Sequence, residues 1–197
     1  MQKLNLSAGS ENKFSEFISQ LGKEKIALIS HTDLDGIASA KIVSDVIDPD
    51  FIYLLNYNDL NDTLIKELEK KKVCHVIFTD LFIKEEIFVR EIEKFSDTLI
   101  IDHHPFLINF NSNKTTFLNV EGNQAFCATY ICYLLLSKIK DLEYLDWLVA
   151  CACIADWQFL DNKPWIEKIF EKYGDIFEHH GKEIRKSGKF WDLQWKL

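Results

Sequence analysis

"KIALISHTDLDGIASAKIVSDVI", residues 25–47, carries three signals in succession. Residues 25–30 are almost continuously apolar, as in a strand covered on both faces. Residues 36–47 have helical spacing. Between them His31, Asp33 and Asp35 stand at alternate positions, and Gly36 follows. A strand, a tight polar turn and a helix make the first half of a βα unit. The turn carries more chemistry than a surface loop requires. Either aspartate could cap the helix, the histidine could be solvated, or the three could surround a cation.

Working outward, the same rhythm recurs. Apolar runs "FIYLLNY" (51–57), "VCHVIFTD" (73–80), "DTLIIDHH" (97–104) and "TTFLNV" (115–120) read as strands. Segments 60–72 and 84–95 have helical periodicity; Leu60, Leu64, Ile65 and Leu68 share one side. An opening helix over Glu11–Leu21 stops at Gly22. Two more helices are expected over 125–139 and 143–156. Strand and helix in alternation predict an α/β fold with a mainly parallel five-stranded sheet, right-handed crossovers and flanking helices. Residues 1–160 form the expected domain. "DNKPW" at 161–165 is the one plausible seam before a helical extension over 161–197.

Composition narrows the class. The 197 residues are 47% apolar and 27% charged, the balance of a globular domain with a proper core. No apolar stretch approaches the ~20 residues of a membrane span. "MQKLNLSAGSENK" lacks the apolar region of a secretory signal, and the five cysteines are odd in number with no CxxC pair. Reduced, buried thiols in a cytoplasmic protein are expected, and the spacing of Cys151 and Cys153 is wrong for zinc. The net charge of −8 argues against gripping long nucleic acid by charge alone. Residues 163–197 are locally basic, with eight Lys/Arg against six Asp/Glu, and hold Trp165, Trp191 and Trp195. An amphipathic helix packing its tryptophans on the core is the expectation there. Seven scattered glycines form no phosphate-binding loop, which excludes an NTP-driven enzyme of that type.

In open α/β sheets ligands bind beyond the carboxyl ends of the strands. Those ends deliver His31, Asp33 and Asp35, then Asp80, then Asp102, His103 and His104. Asp156 closes the apolar helix "ACACIAD". Singly, each has an ordinary explanation: a helix cap for Asp33 or Asp35, a turn residue for Asp80. His179-His180 reads as a solvated pair. Together, four or more carboxylates in one place repel one another unless cations lie between them. Carboxylates and imidazoles without a placed thiolate suit Mn²⁺ or Mg²⁺, with zinc, cobalt and ferrous iron as further options. Two such ions ~3.5–4 Å apart can activate a water and clamp a phosphoryl displacement.

The set "HTDLDG", "FTDLF", "IIDHHP" and "CIADW", in this order, resembles the DHH phosphoesterase superfamily of RecJ-type exonucleases, short-oligonucleotide phosphodiesterases and family II pyrophosphatases. "CATYICYLLL" resembles the helix after the DHH motif, and the resemblance spans about residues 25–160. It implies that Asp80 bridges two metal ions. Asp33 with His31 would hold one ion; Asp35, His103 and Asp156 would hold the other. Asp102 would be a ligand or would orient an imidazole, and His104 would face the substrate phosphate. Two features depart from the family. In some branches the first histidine lies four residues before the first aspartate, whereas His31 lies two before Asp33. The family's second domain, with its GGGH-like motif, has no counterpart after residue 160, so the expectation is a naturally minimal DHH domain, a fragment of a longer protein, or a subunit completed by a partner chain.

The resulting expectation is a cytoplasmic phosphodiesterase with two manganese ions, or magnesium in their place. It would hydrolyse short single-stranded oligonucleotides or other phosphodiesters and have no membrane partner. The alternatives are a non-catalytic scaffold subunit of a nucleic-acid-processing or replication complex, and an inorganic pyrophosphatase.

Overall fold

The computed structural model describes residues 4–120, 126–158 and 162–174. The opening helix α1 (Glu11–Gln20) leads into β1 (Ile26–His31), whose Ala27, Leu28 and Ile29 are fully buried. At the exit from β1 the chain turns into α2 (Leu34–Ile47), N-capped by Asp33, whose Oδ1 accepts the Gly36 N–H at 3.0 Å. Only glycine fits at 36: a Cβ there would lie 2.2 Å from the His31 carbonyl oxygen. Asp48 ends the helix in the left-handed region (φ 54°), a conformation that aspartate tolerates better than most residues.

The remaining elements are β2 (Phe51–Leu55), α3 (Asp62–Lys70), β3 (His75–Thr79), α4 (Glu86–Ile92), β4 (Asp97–Asp102), β5 (Thr115–Asn119), α5 (Ala128–Leu136), α6 (Asp146–Ala155) and α7 (Lys163–Lys172). The five strands form one parallel sheet in the order β2-β1-β3-β4-β5. Because β2 lies on one side of β1 and β3 on the other, the order reverses between β1 and β3. The crevice that this opens at the carboxyl ends of the strands is where such sheets bind ligands.

Helices cover both faces. Leu28, Ile77, Leu99, Ile101 and Leu118 pack against α1, α2, α5, α6 and α7. Ala27, Ile29, Val76, Phe78, Ile100 and Phe117 meet α3 and α4. Neighbours in sequence therefore enter opposite layers, which explains why the central strands are apolar without alternation. The edge strand β2 differs: Ile52 and Leu54 are exposed while its other residues are half-buried. Among the described residues no helix is long and apolar enough to cross a membrane.

Several boundaries differ from the sequence expectation. The helix expected over 84–95 spans only Glu86–Ile92. That expected over 143–156 opens as a 3₁₀ turn, Glu143–Leu145, and stops at Ala155, which leaves Asp156 as its C-cap. In the described part of the C-terminal extension, α7 buries Ile166, Ile169 and Phe170, and Trp165 stacks on Tyr130 with centroids 4.9 Å apart. Trp191, Trp195 and the His179-His180 pair lie outside the described residues.

Candidate metal centre

β1 and α2 place the first three side chains. His31 is the last residue of β1, and its Nδ1 lies 2.9 Å from Asp33 Oδ2 without hydrogen-bond alignment. Asp33 reaches outward as the cap, whereas Asp35, in the first helical turn, is buried. Both Asp35 oxygens accept backbone N–H groups across the fold, from Ala128 at 2.8 Å and Thr129 at 2.9 Å. The Thr129 hydroxyl donates to the Asp35 carbonyl at 2.8 Å. α5 has no side-chain cap of its own at Cys127, so Asp35 satisfies its first N–H groups and answers the positive end of its dipole.

Asp80 follows β3 with φ +57° and is 2% exposed. Its N–H is held by the Ile101 carbonyl at 3.1 Å. A left-handed, buried carboxylate is costly, and such strain collects at functional sites. Asp80 Oδ2 has no hydrogen-bond partner. Its oxygens lie 3.4 Å from His103 Nε2 and 3.8 Å from His31 Nδ1. Burial, then the charges of Asp35 and Asp33, push its pKa up to about 12. Burial also opposes ionisation of Asp33, but the Gly36 N–H, the contact with Asp80 and His31 together hold its carboxyl below the usual range. Without a cation, Asp33 is ionised and Asp80 keeps its proton.

β4 ends on Asp102, whose Oδ1 accepts from the His103 N–H (2.8 Å), the His104 N–H (3.3 Å) and His104 Nδ1 (2.7 Å). Burial works against the Asp102 charge, yet the bond and charge of His104 keep its pKa low. Burial likewise disfavours a charged His104, but Asp102 outweighs it and raises the imidazole pKa. The neighbouring ring points elsewhere: His103 Nε2 lies 3.7 Å from Asp35 Oδ2, and Nδ1 lies 3.5 Å from Asp156 Oδ2. Asp156 is half-buried, and its pKa is raised by burial and by the charge of Asp35 against the opposing pull of His103.

All eight residues picked out in the sequence therefore meet at one edge of the sheet. Three ligand-like groups arise among the described residues: His31, Asp33 and Asp80; Asp35, His103 and Asp156; and Asp80 with Asp102, His103 and His104. Within each group the donor atoms lie within 4.8 Å of one another. The set fits a divalent cation on structural grounds. Asp80 Oδ2, His103 Nε2 and His31 Nδ1 are buried polar atoms without hydrogen-bond partners, and all three face this cluster. The donors are carboxylate oxygens and imidazole nitrogens, with no cysteine among them.

Other parts of the site escape sequence reading. The Tyr57 ring stacks on His31 (4.6 Å, 16°), and its hydroxyl lies 3.4 Å from His104 Nε2. Burial and the carboxylates keep that hydroxyl protonated, with a pKa pushed up to about 12. Tyr57 sits two residues past β2, at the same sheet edge, in a turn that nothing in the local sequence marks out. Asn119, at the end of β5, donates to the His104 carbonyl at 2.9 Å. Ser30, Ser39 and Thr79 tie the exits of β1 and β3 together through buried hydroxyl bonds of 2.7–3.2 Å. Phe82 approaches His104 with centroids 6.1 Å apart. Trp157, directly after Asp156, has φ +61° and a side chain 70% exposed.

By sequence, no protein-family model and no curated protein matches the chain. By structure, several solved proteins do. An exonuclease RecJ bound to manganese is 16% identical at a TM-score of 0.60, over 79% of this chain and 45% of that one. The fold is that of the DHH domain. A second RecJ, from Thermus thermophilus and in complex with Mn²⁺, matches at 16% identity and TM-score 0.58, over 78% of this chain and 24% of that one. CDC45 from Entamoeba histolytica matches at 16% identity and TM-score 0.64, over 91% of this chain and 41% of that one. The chain thus spans less than half the length of each of these DHH-fold proteins.

Proposed function

We propose that this DHH-fold chain is a divalent-metal-dependent phosphodiesterase acting on short single-stranded oligonucleotides in the cytoplasm. The observation that carries the reading is Asp80, a buried carboxylate with an unpartnered oxygen, held in a left-handed conformation between two His/carboxylate groups. Asp33 and His31 would hold one ion and Asp35, His103 and Asp156 a second, with Asp80 shared. Manganese is the leading choice and magnesium the alternative, in line with the oxygen and imidazole donors and with the manganese of the RecJ structures. When bound, the ions supply charge neutralisation and an activated water.

The remaining roles belong to the chain itself. Asp102 fixes His104 through Nδ1 and stabilises its protonated form, which leaves Nε2 to meet the substrate phosphate. A protonated imidazole there stabilises charge that develops in the transition state. Tyr57 braces both His31 and His104. The acidic surface favours short strands over long duplexes.

A second reading is a non-catalytic scaffold subunit of a nucleic-acid-processing or replication complex. It is favoured by the extent of the CDC45 likeness, 91% of this chain. One assay separates the readings: hydrolysis of a short 5′-labelled oligonucleotide, and of pyrophosphate, with Mn²⁺ and with chelator. Mn²⁺-dependent cleavage of the oligonucleotide supports the phosphodiesterase. Cleavage of pyrophosphate alone replaces it with a pyrophosphatase, and no cleavage of either substrate favours the scaffold.

A further inference from the structure

A cavity of about 530 Å³ lies beside the carboxylate cluster, between the start of α3 and the segment that joins β3 to α4. Its volume is in the range of small-molecule sites. Two of its walls are shared with the cluster. Tyr57 lines the cavity while stacking on His31 and reaching His104. Phe82 lines it while lying 6.1 Å from the His104 ring. Whatever occupies the cavity is therefore attached to, or next to, the group that His104 meets.

The lining states what that occupant is. Leu60, Ile87 and Phe88 add apolar surface to the two aromatic rings. Asn58 and Asn61 add amides that can pair with the edge of a heterocycle. The charges are the deciding feature. Asp62, Glu85 and Glu91 stand against Lys84 alone, so a second phosphate would meet net negative charge there. A neutral, planar, hydrogen-bonding group would not. Base–aromatic stacking recognises that shape whatever the base.

We infer that this cavity is a nucleoside subsite, which receives the base next to the scissile phosphate and stacks it on Phe82 and Tyr57. The inference rests on the phosphodiesterase reading and sharpens it, because the subsite selects nucleotidyl diesters over pyrophosphate. Ile87 is 60% exposed at the cavity wall. Ile87→Trp therefore narrows the cavity without disturbing the core, and complements Phe82→Ala, where a half-buried ring is removed.

The test uses an adenine dinucleotide with a 5′-phosphate, the same compound with each base in turn replaced by an abasic sugar, and adenosine 5′-monophosphate as a binding probe. In wild type with Mn²⁺, removing one particular base should raise KM about tenfold or more, as expected for a lost stacking partner. Phe82→Ala and Ile87→Trp should each shrink that ratio towards one and weaken calorimetric binding of the monophosphate by about tenfold. Hydrolysis that is indifferent to both bases, or a base dependence that both variants leave intact, would overturn the nucleoside subsite and leave the phosphodiesterase standing. Binding of the monophosphate that both variants weaken, with no dinucleotide cleaved, would keep the subsite and remove the catalytic reading. Neither binding nor cleavage would remove both.

Discussion

Asp146 and Asp80 are both almost wholly buried, and their surroundings are opposites. Asp146, at the start of α6, is 4% exposed and has Lys172 of α7 at 2.8 Å from Oδ2. Asp80, at the crevice between β1 and β3, is 2% exposed and has Asp33, Asp35 and Asp102 among its influential neighbours. The first charge is answered inside the chain and ties one helix to another. Each keeps one oxygen without a hydrogen-bond partner, but the second carboxyl is surrounded by more of its own sign, on a strained backbone, with no lysine or arginine of the described residues against it. A fold does not retain that arrangement for stability, since a carboxyl buried there must either carry an unpaired charge or give up its ionisation on folding, and both are costly. On the proposed reading, the contrast separates a structural carboxylate from one placed for a cation.

The largest effect is expected at Asp80 itself. Asp80→Asn keeps the shape and tolerates the left-handed backbone, yet removes the shared carboxylate. Oligonucleotide hydrolysis in Mn²⁺ should fall at least about 10³-fold, equivalent to a loss of several kcal/mol of metal-borne stabilisation. Next comes His104→Ala, with turnover lowered about 10²-fold, the scale for one lost charge stabiliser. Mn²⁺ affinity measured by calorimetry should stay nearly unchanged, whereas His103→Ala should lose both. Equal loss of metal in the two histidine variants would erase the division between them.

A third consequence is proton-linked. The Asp80 pKa is raised without metal, so the folded, metal-free chain keeps a proton that the cation must displace. At pH 7, Mn²⁺ binding to wild type, measured in buffers of different ionisation enthalpy, should release about one proton, and its affinity should rise with pH. The sign for stability follows from the same shift. Above the ordinary carboxylate range the folded state binds more protons at Asp80 than the unfolded state does. Its contribution is thus intact below about pH 4 and is lost as pH rises towards the folded value.

The smallest effect lies at the contrasting site. Lys172→Met should lower the melting temperature because Asp146 loses its cation, while leaving the Mn²⁺-induced shift as it is in wild type. A variant that also lost its response to Mn²⁺ would mean that the two regions are not independent.

How much of this was legible beforehand follows the range of each interaction. The strands and their order of appearance could be read because apolar runs are local. The site edge could be read because strand ends are, so His31, Asp80 and Asp102–His104 stand out from the sequence. Asp35 shows the limit. Its spacing marks it as polar and special, but its bonds to Ala128 and Thr129 join residues 93 and 94 positions apart, and no local pattern announces them. Tyr57 was hidden differently. It sits in a 3₁₀ turn of ordinary composition, "YND", and acquires meaning only once β2 is seen to end beside β1. The short span of α4 has a related cause: residues 84 and 85 stay in the connection after β3, whose preceding residues carry Phe82 towards His104 and Ile83 into the core.

The central claim, that the carboxylate cluster around Asp80 is a divalent-metal site, is tested most directly by thermal unfolding of wild type and Asp80→Asn with and without Mn²⁺. Binding to the folded state alone must raise the melting temperature. The account predicts a clear rise for wild type and little or none for Asp80→Asn, with the metal-free variant melting above metal-free wild type at pH 7 because a carboxyl that must take up a proton to fold has been removed. An absent Mn²⁺ effect in wild type, or an equal rise in both proteins, would contradict it.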